Sequence, residues 1–197
     1  DRVVISTRNA TTMHSLLDGS VLQTFEAPSL DSDPENENRF GVRHVLRGDR
    51  LLVGEVGKVH LFNASTAELL HTIENPVADE EYESFGYTIA MEGDTIVVGV
   101  KVASPEERPD MTYNGVAYLF SAETGQLRHT FEVPEGFSTL NRWLFGAGVA
   151  LQGDYLAVAA EFGYRSSVVF VFSSITYELV ATIEDPSTAR VSGFGYS

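Results

Sequence analysis

The feature that most limits what this chain can become is a unit of sequence that keeps returning. Phe40-Gly41 is followed eight residues after its Phe by Gly48-Asp49, Phe85-Gly86 at the same distance by Gly93-Asp94, and Phe145-Gly146 by Gly153-Asp154. Each Gly-Asp opens a short apolar run: Leu51-Leu52-Val53-Gly54, Ile96-Val97-Val98-Gly99, Leu156-Ala157-Val158-Ala159. A second run ends in Phe each time, at Phe62, Phe120 and Phe172, and the distance from that Phe to a Pro (Pro76, Pro134, Pro186) is the same in all three. The chain opens in mid-unit, because Asp1 to Pro28 lies over Asp49 to Pro76 without a gap, and Phe194-Gly195-Tyr196 starts the unit again. Self-similarity at a fixed period is the mark of a repeat architecture, in which each unit buries its apolar face against the next.

Each unit reads as four strands, since runs rich in Val, Ile, Leu, Phe and Tyr are punctuated by Gly, Asp, Asn, Ser and Pro, and no segment sustains a helical period. A four-stranded repeat of about 45 residues is the signature of a propeller blade. The expected fold is therefore all-β: a β-propeller of four-stranded antiparallel blades, three complete blades with partial ones at both ends. The chain is read as a single segment, 1-197, with a partial blade at 1-28, blades at 40-76, 85-134 and 145-186, and the start of another at 194-197. In the last strand of each unit, alternation puts Leu69 with Ile73, and Leu127 with Phe131, on one buried face. A closed ring takes about four to eight blades, so a longer polypeptide is expected.

Phe-Gly followed by Asp-x-(Leu/Ile)-x-Val-Gly resembles the FG-GAP repeat of integrin α-subunit propellers and of many extracellular proteins, and the resemblance covers essentially the whole chain. It implies about seven blades in the parent and an extracellular, cell-surface or periplasmic location. Two departures stand out. The Gly-Ala-Pro of the family reads Gly54-Glu55, Gly99-Val100 and Ala159-Ala160. The calcium loop of the family, rich in Asp, is replaced by intervals that hold one carboxylate among them, Glu92. Calcium takes six to eight oxygen ligands, so the family's metal cage is not expected here. A separate calcium candidate is the alternating set Asp31, Asp33, Glu35 and Glu37, although Pro34 and the lack of a Gly turn depart from known loop patterns.

Charge narrows the partners. With 13 Lys plus Arg against 28 Asp plus Glu, the net charge is −15, which repels phosphate backbones and anionic lipid. Neither nucleic acid nor direct membrane insertion is expected. The absence of cysteine removes disulfides, thiolate metal sites and cysteine nucleophiles together. Asn9-Ala10-Thr11 and Asn63-Ala64-Ser65 are glycosylation sequons, placing candidates at Asn9 and Asn63.

No catalytic residue is assigned, because no nucleophile elbow, zinc-protease helix or P-loop occurs. Asp49, Asp94 and Asp154 recur once per unit and are read as structural turn residues bonding nearby backbone. His71 and His129 share one strand position, and His44 and His60 have no ligand-like neighbours in sequence. What varies is the connection from the second to the third strand and that from one unit to the next. In a propeller these emerge on one face, where loops on a rigid frame carry function. That rim holds the candidate binding residues Tyr82, Tyr113, Phe137, Trp143 and Tyr164 amid acidic residues, which suits a protein or glycan partner. The remaining blades, of this chain or a neighbour, are further expected partners. The reading is a non-enzymatic binding or assembly module. Its rivals are a hydrolase with rim carboxylates, since such pairs are set by space and not by spacing, and a purely architectural subunit.

Overall fold

The computed structural model describes residues 1–7, 10–28, 40–77, 84–100, 115–137, 143–162 and 166–186. Fifteen strands and no helix are present among them. The first sheet has three strands, β1 (Arg2–Ser6), β2 (Ala10–Ser15) and β3 (Val21–Glu26), in that order. The second is β4 (Arg43–Arg47), β5 (Arg50–Glu55), β6 (Lys58–Asn63) and β7 (Leu69–Glu74). The third is β8 (Thr88–Glu92), β9 (Thr95–Val100), β10 (Val116–Ser121) and β11 (Leu127–Phe131). The fourth is β12 (Trp143–Gln152), β13 (Tyr155–Phe162), β14 (Ser166–Ser173) and β15 (Leu179–Glu184). Every pairing is antiparallel and joins strands adjacent in sequence, and β4, β8 and β12 lie side by side at the inner edges of their sheets.

Three apolar seams hold the sheets together. Met13, Phe25, Leu51, Val53 and Phe62 fill the first, Leu52, Ile73, Ile96, Val98 and Phe120 the second, and Leu119, Phe131, Leu156, Phe170 and Phe172 the third. Burying each such side chain contributes about 1.5–3 kcal/mol. The Phe of each Phe-Gly is fully enclosed and meets the Phe that ends the third strand edge-on: Phe40 with Phe62 at 6.1 Å, Phe85 with Phe120 at 6.3 Å, Phe145 with Phe172 at 6.3 Å. That geometry places a ring edge against a π-face.

The glycine after that Phe serves the joint between sheets. Gly86 and Gly146 have φ of 93° and 83°, a region open to glycine. The Gly86 carbonyl lies over the Cα of Gly54, and the Gly146 carbonyl over that of Gly99, where any Cβ would collide with it. Gly57 N–H donates to the Phe85 carbonyl across the same joint, at 3.0 Å. Repetition of Phe-Gly in the sequence thus becomes repetition of a backbone-to-backbone contact.

The simple alternation expected of the outer strands does not hold. A bulge interrupts the pairing of each, at Leu22, Leu70, Arg128 and Val180, because Leu61 pairs with His71 while Phe62 pairs with Leu69, and likewise in the other sheets. An extra residue reverses the facing of everything before it. Ile73 is therefore buried in the seam while Leu69 stands 39% exposed, instead of sharing its face.

Candidate functional site

Consider first the face where the Gly-Asp hairpins turn. Gly48, Gly93 and Gly153 have φ of 55°, 56° and 56°, while the following Asp keeps a negative φ. That is the pattern of a two-residue type II′ turn. Each Asp carbonyl accepts the N–H of the next hairpin in its sheet, from Ala64, Ala122 and Ser174 respectively. The Asp49 carboxylate accepts the Ser65 hydroxyl at 2.9 Å. Asp94 accepts the Glu123 N–H at 2.6 Å and the Ser121 hydroxyl at 3.2 Å, and pairs with Arg128. Partial burial works to raise its pKa, but the Arg128 guanidinium and the Glu123 N–H outweigh it and hold Asp94 below the usual carboxylate value.

Neighbouring sheets are latched at this end and along the outer edge. Arg2 donates to the Gly48 carbonyl at 2.7 Å, Arg50 to that of Gly93 at 3.2 Å, and Glu92 accepts the Gly153 N–H at 3.0 Å. On the outer strands Gln23 reaches the Ser65 carbonyl at 2.8 Å and His71 that of Glu123 at 2.9 Å. His129, at the same position, stacks on Tyr177 of the next sheet at 4.2 Å. The polar groups of this face are thus largely occupied by architecture.

The variable connections leave from the opposite strand ends, and most of them lie outside the described residues. So do Tyr82, Tyr113 and Tyr164, the acidic set Asp31, Asp33, Glu35 and Glu37, and Asn9. Trp143 opens β12, its backbone paired with Phe162, so that β12 and β13 run past the Phe145-Gly146 bulge and reach farther than their counterparts. Phe137 ends the described part of the connection after β11. It is half-buried, its ring edge-on to Phe170 at 5.0 Å, because the third seam offers it apolar surface to cover. Asn63 ends β6, and its side-chain oxygen accepts the N–H groups of Ser65 and Thr66 at 2.9 and 3.1 Å. Among the described residues, no group of three or more His, Asp or Glu is placed to hold a metal.

The first seam holds two polar clusters that sequence spacing did not reveal. His60 is 1% exposed and Glu55 6%, and His60 Nε2 lies 2.6 Å from the Glu55 carboxylate. His60 Nδ1 lies 3.0 Å from the Thr72 hydroxyl. A neutral imidazole satisfies both, donating to Glu55 and accepting from Thr72. The reading of His60 as a residue without a carboxylate neighbour is corrected here: the two-residue turn Val56-Gly57 folds Glu55 back beside it. In the same seam the Ser6 hydroxyl is 3.0 Å from both Thr11 Oγ1 and His44 Nδ1. The signal for the buried pair was present as a departure from the repeat, because sister units carry Val100 with Tyr118 and Ala160 with Phe170. Hydroxyl, imidazole and carboxylate in a row resemble a proton relay, yet Thr recurs at Thr24, Thr130 and Thr182, which marks Thr72 as part of the frame.

No protein-family model matches the chain, and no curated protein matches it in sequence. In structure it is similar to a europium-containing methanol dehydrogenase, with TM-score 0.63, 11% identity, and coverage of 92% of this chain and 39% of that one. It is similar also to the Dos1 propeller, with TM-score 0.56, 17% identity, and coverage of 90% and 42%. A third likeness is to the WD40 domain of Pan2 from Neurospora crassa, with TM-score 0.56, 10% identity, and coverage of 92% and 45%. The chain spans less than half the length of each of these. The sheets are blades of a β-propeller. Identity this low shows the fold alone, and the fold is shared by a dehydrogenase and by a WD40 domain.

Proposed function

We propose that the chain is the binding or assembly part of an extracellular, cell-surface or periplasmic protein of the FG-GAP kind, engaging a protein or glycan through its variable loop face. The observation that carries this is the asymmetry of the two faces. On the hairpin face, Asp49, Asp94, Arg2, Arg50 and Glu92 are tied into turns and latches. The other face varies in length from unit to unit, and it carries Tyr82, Tyr113, Trp143 and Tyr164 in or beside its connections. Aromatic residues there supply contact area at low entropic cost. Alanine at Tyr113 and at Trp143 is expected to weaken partner binding by at least about ten-fold, roughly 1.4 kcal/mol, with the unfolding midpoint unchanged. Full binding by both variants, measured by titration calorimetry with the captured partner, would remove the rim from consideration.

A second, architectural reading rests on one contrast in burial. Ile183 is 48% exposed, whereas its counterparts Phe25, Ile73 and Phe131 are 1%, 3% and 2% exposed beneath a neighbouring sheet. On this reading the exposed face of the fourth sheet is covered, in the intact protein, by a further blade of the same chain or of another. Because the chain has no cysteine, a single Ile183→Cys variant can be labelled selectively. Protection of that thiol in the intact assembly supports the reading, and rapid labelling there counts against it.

A further inference from the structure

Where the inner strands of three successive blades meet, the structure forms a cavity of about 160 Å³ that opens to solvent. At roughly 30 Å³ per water it has room for about five waters, far below the 300–1,000 Å³ of a drug-sized site. It suits one functional group, not a whole large ligand. Its walls are unusual for this chain. Arg43 stands at one side, the hydroxyl-bearing residues Ser84, Tyr87 and Thr88 line another, and the stretch from Gly146 to Val149 closes a third. Among the described residues, no carboxylate lines it.

Each wall has a local cause. Arg43 begins β4 and is exposed, and its Nη1 donates to the adjacent Val42 carbonyl at 2.9 Å. Its remaining N–H groups form a fork that matches a carboxylate. In β12 the register shifts between Phe145 and Gly148, which leaves Gly146 and Ala147 outside the ladder with β13. Since β12 pairs on that side only, it is an edge strand, and such an edge carries N–H groups outside any ladder. The Thr88 hydroxyl donates to the Gly146 carbonyl at 2.8 Å and fixes the bulge in place. Ile89, Ala147 and Val149 add apolar surface.

We propose that this cavity binds a carboxylate, held by the Arg43 fork and the N–H groups of the β12 bulge, with the attached carbon against Ile89 and Val149. A monoanion fits better than a phosphate. One guanidinium neutralises one charge, the net charge of −15 disfavours a dianion more than a monoanion, and the apolar surface has nothing to offer a phosphate oxygen. The carboxylate comes either from a free organic acid or from an Asp or Glu side chain on a partner loop reaching along the inner strands. The proposal rests on residues other than the aromatic candidates of the variable rim.

Isotope-labelled chain titrated with sodium acetate, against sodium chloride at equal ionic strength, tests the proposal by amide NMR. Saturable shifts are expected at Thr88 and at Gly146 to Val149. Arg43→Gln is expected to weaken them by at least about ten-fold, with Arg43→Lys in between and the unfolding midpoint unchanged in both. Parallel titrations with inorganic phosphate and with a capped Glu-containing peptide separate the sources. Peptide binding at least about ten-fold tighter than acetate assigns the site to a protein loop, and binding no tighter assigns it to a free acid. The proposal is overturned by the absence of saturable shifts at these amides, by equal shifts in Arg43→Gln, or by phosphate binding as tightly as acetate.

Discussion

Between the third and fourth blades the filling is aromatic and aliphatic: Phe131, Phe145, Phe170 and Phe172 close on Leu156, Val158 and Ala160. Between the first and second blades the corresponding positions hold Glu55 in place of Ala160 and His60 in place of Phe170, and Ser6 takes the position that Gly99 occupies in the third sheet. Both seams are closely packed, and their chemistry differs. In the later seam these positions are apolar and their contribution scales with area. In the earlier one the buried carboxylate and imidazole are costly unless paired, so each depends on the other. Repeats that share one backbone can therefore differ in how a single substitution is felt.

The largest expected effect comes from separating the buried pair. His60→Phe alone leaves Glu55 without its partner and should cost about 3–5 kcal/mol in denaturant unfolding. Installing a sister unit's residues together, Glu55→Val with His60→Tyr, should recover that loss and add a net gain of about 1–4 kcal/mol in the same measurement. If the two changes simply add, the pairing does not distinguish the seams.

Next in size is the glycine joint. Gly99→Ala places a Cβ against the Gly146 carbonyl and should destabilise by about 1–3 kcal/mol through overpacking. The first seam already accommodates Ser6 at the matching position, so Ser6→Ala, which keeps the Cβ, should stay below that cost. Equal losses from the two variants would show that the joints are alike.

The smallest effect is on pH dependence. Burial, only partly offset by a bond to the Val4 carbonyl, pushes the His44 pKa below 6.5, and burial against the next blade lowers that of His129. In each case the unfolded chain binds the proton more tightly, so stability is full above about pH 6.5 and is lost as pH falls through the depressed folded values. Both side chains are partly solvated, which keeps the contribution small. Removing His44 and His129 by Gln substitution should flatten the acid limb of a melting-temperature profile, and an unchanged limb would assign it to carboxylates instead.

Spacing alone carried the architecture. The fixed distance from Phe40 to Gly48, repeated twice, puts the β4–β5, β8–β9 and β12–β13 hairpins at the same place in each unit, although β12 starts before its Phe and β4 and β8 start after theirs. The outer-strand bulge was not legible, because Leu69-Leu70 is an ordinary apolar pair in sequence and only its partners in β6 show that one of them is extra. The contact of Phe137 with Phe170 was not legible either, because an aromatic residue in a variable connection looks the same whether it faces solvent or turns back onto the frame. Glu55 and His60 were readable only as exceptions to the repeat. The Arg43 cavity was not readable at all, since its walls are drawn from three blades.

The glycine joints also bear on the geometry of a whole ring. Gly54 and Gly99 let the inner edges of successive sheets draw close, while Ser6 and Ala159 carry a carbon where those two have none. Sheets held farther apart at the hub fan out by a narrower wedge, and a circle made of narrower wedges takes more of them. One methyl group per spoke thereby influences how many spokes complete the wheel.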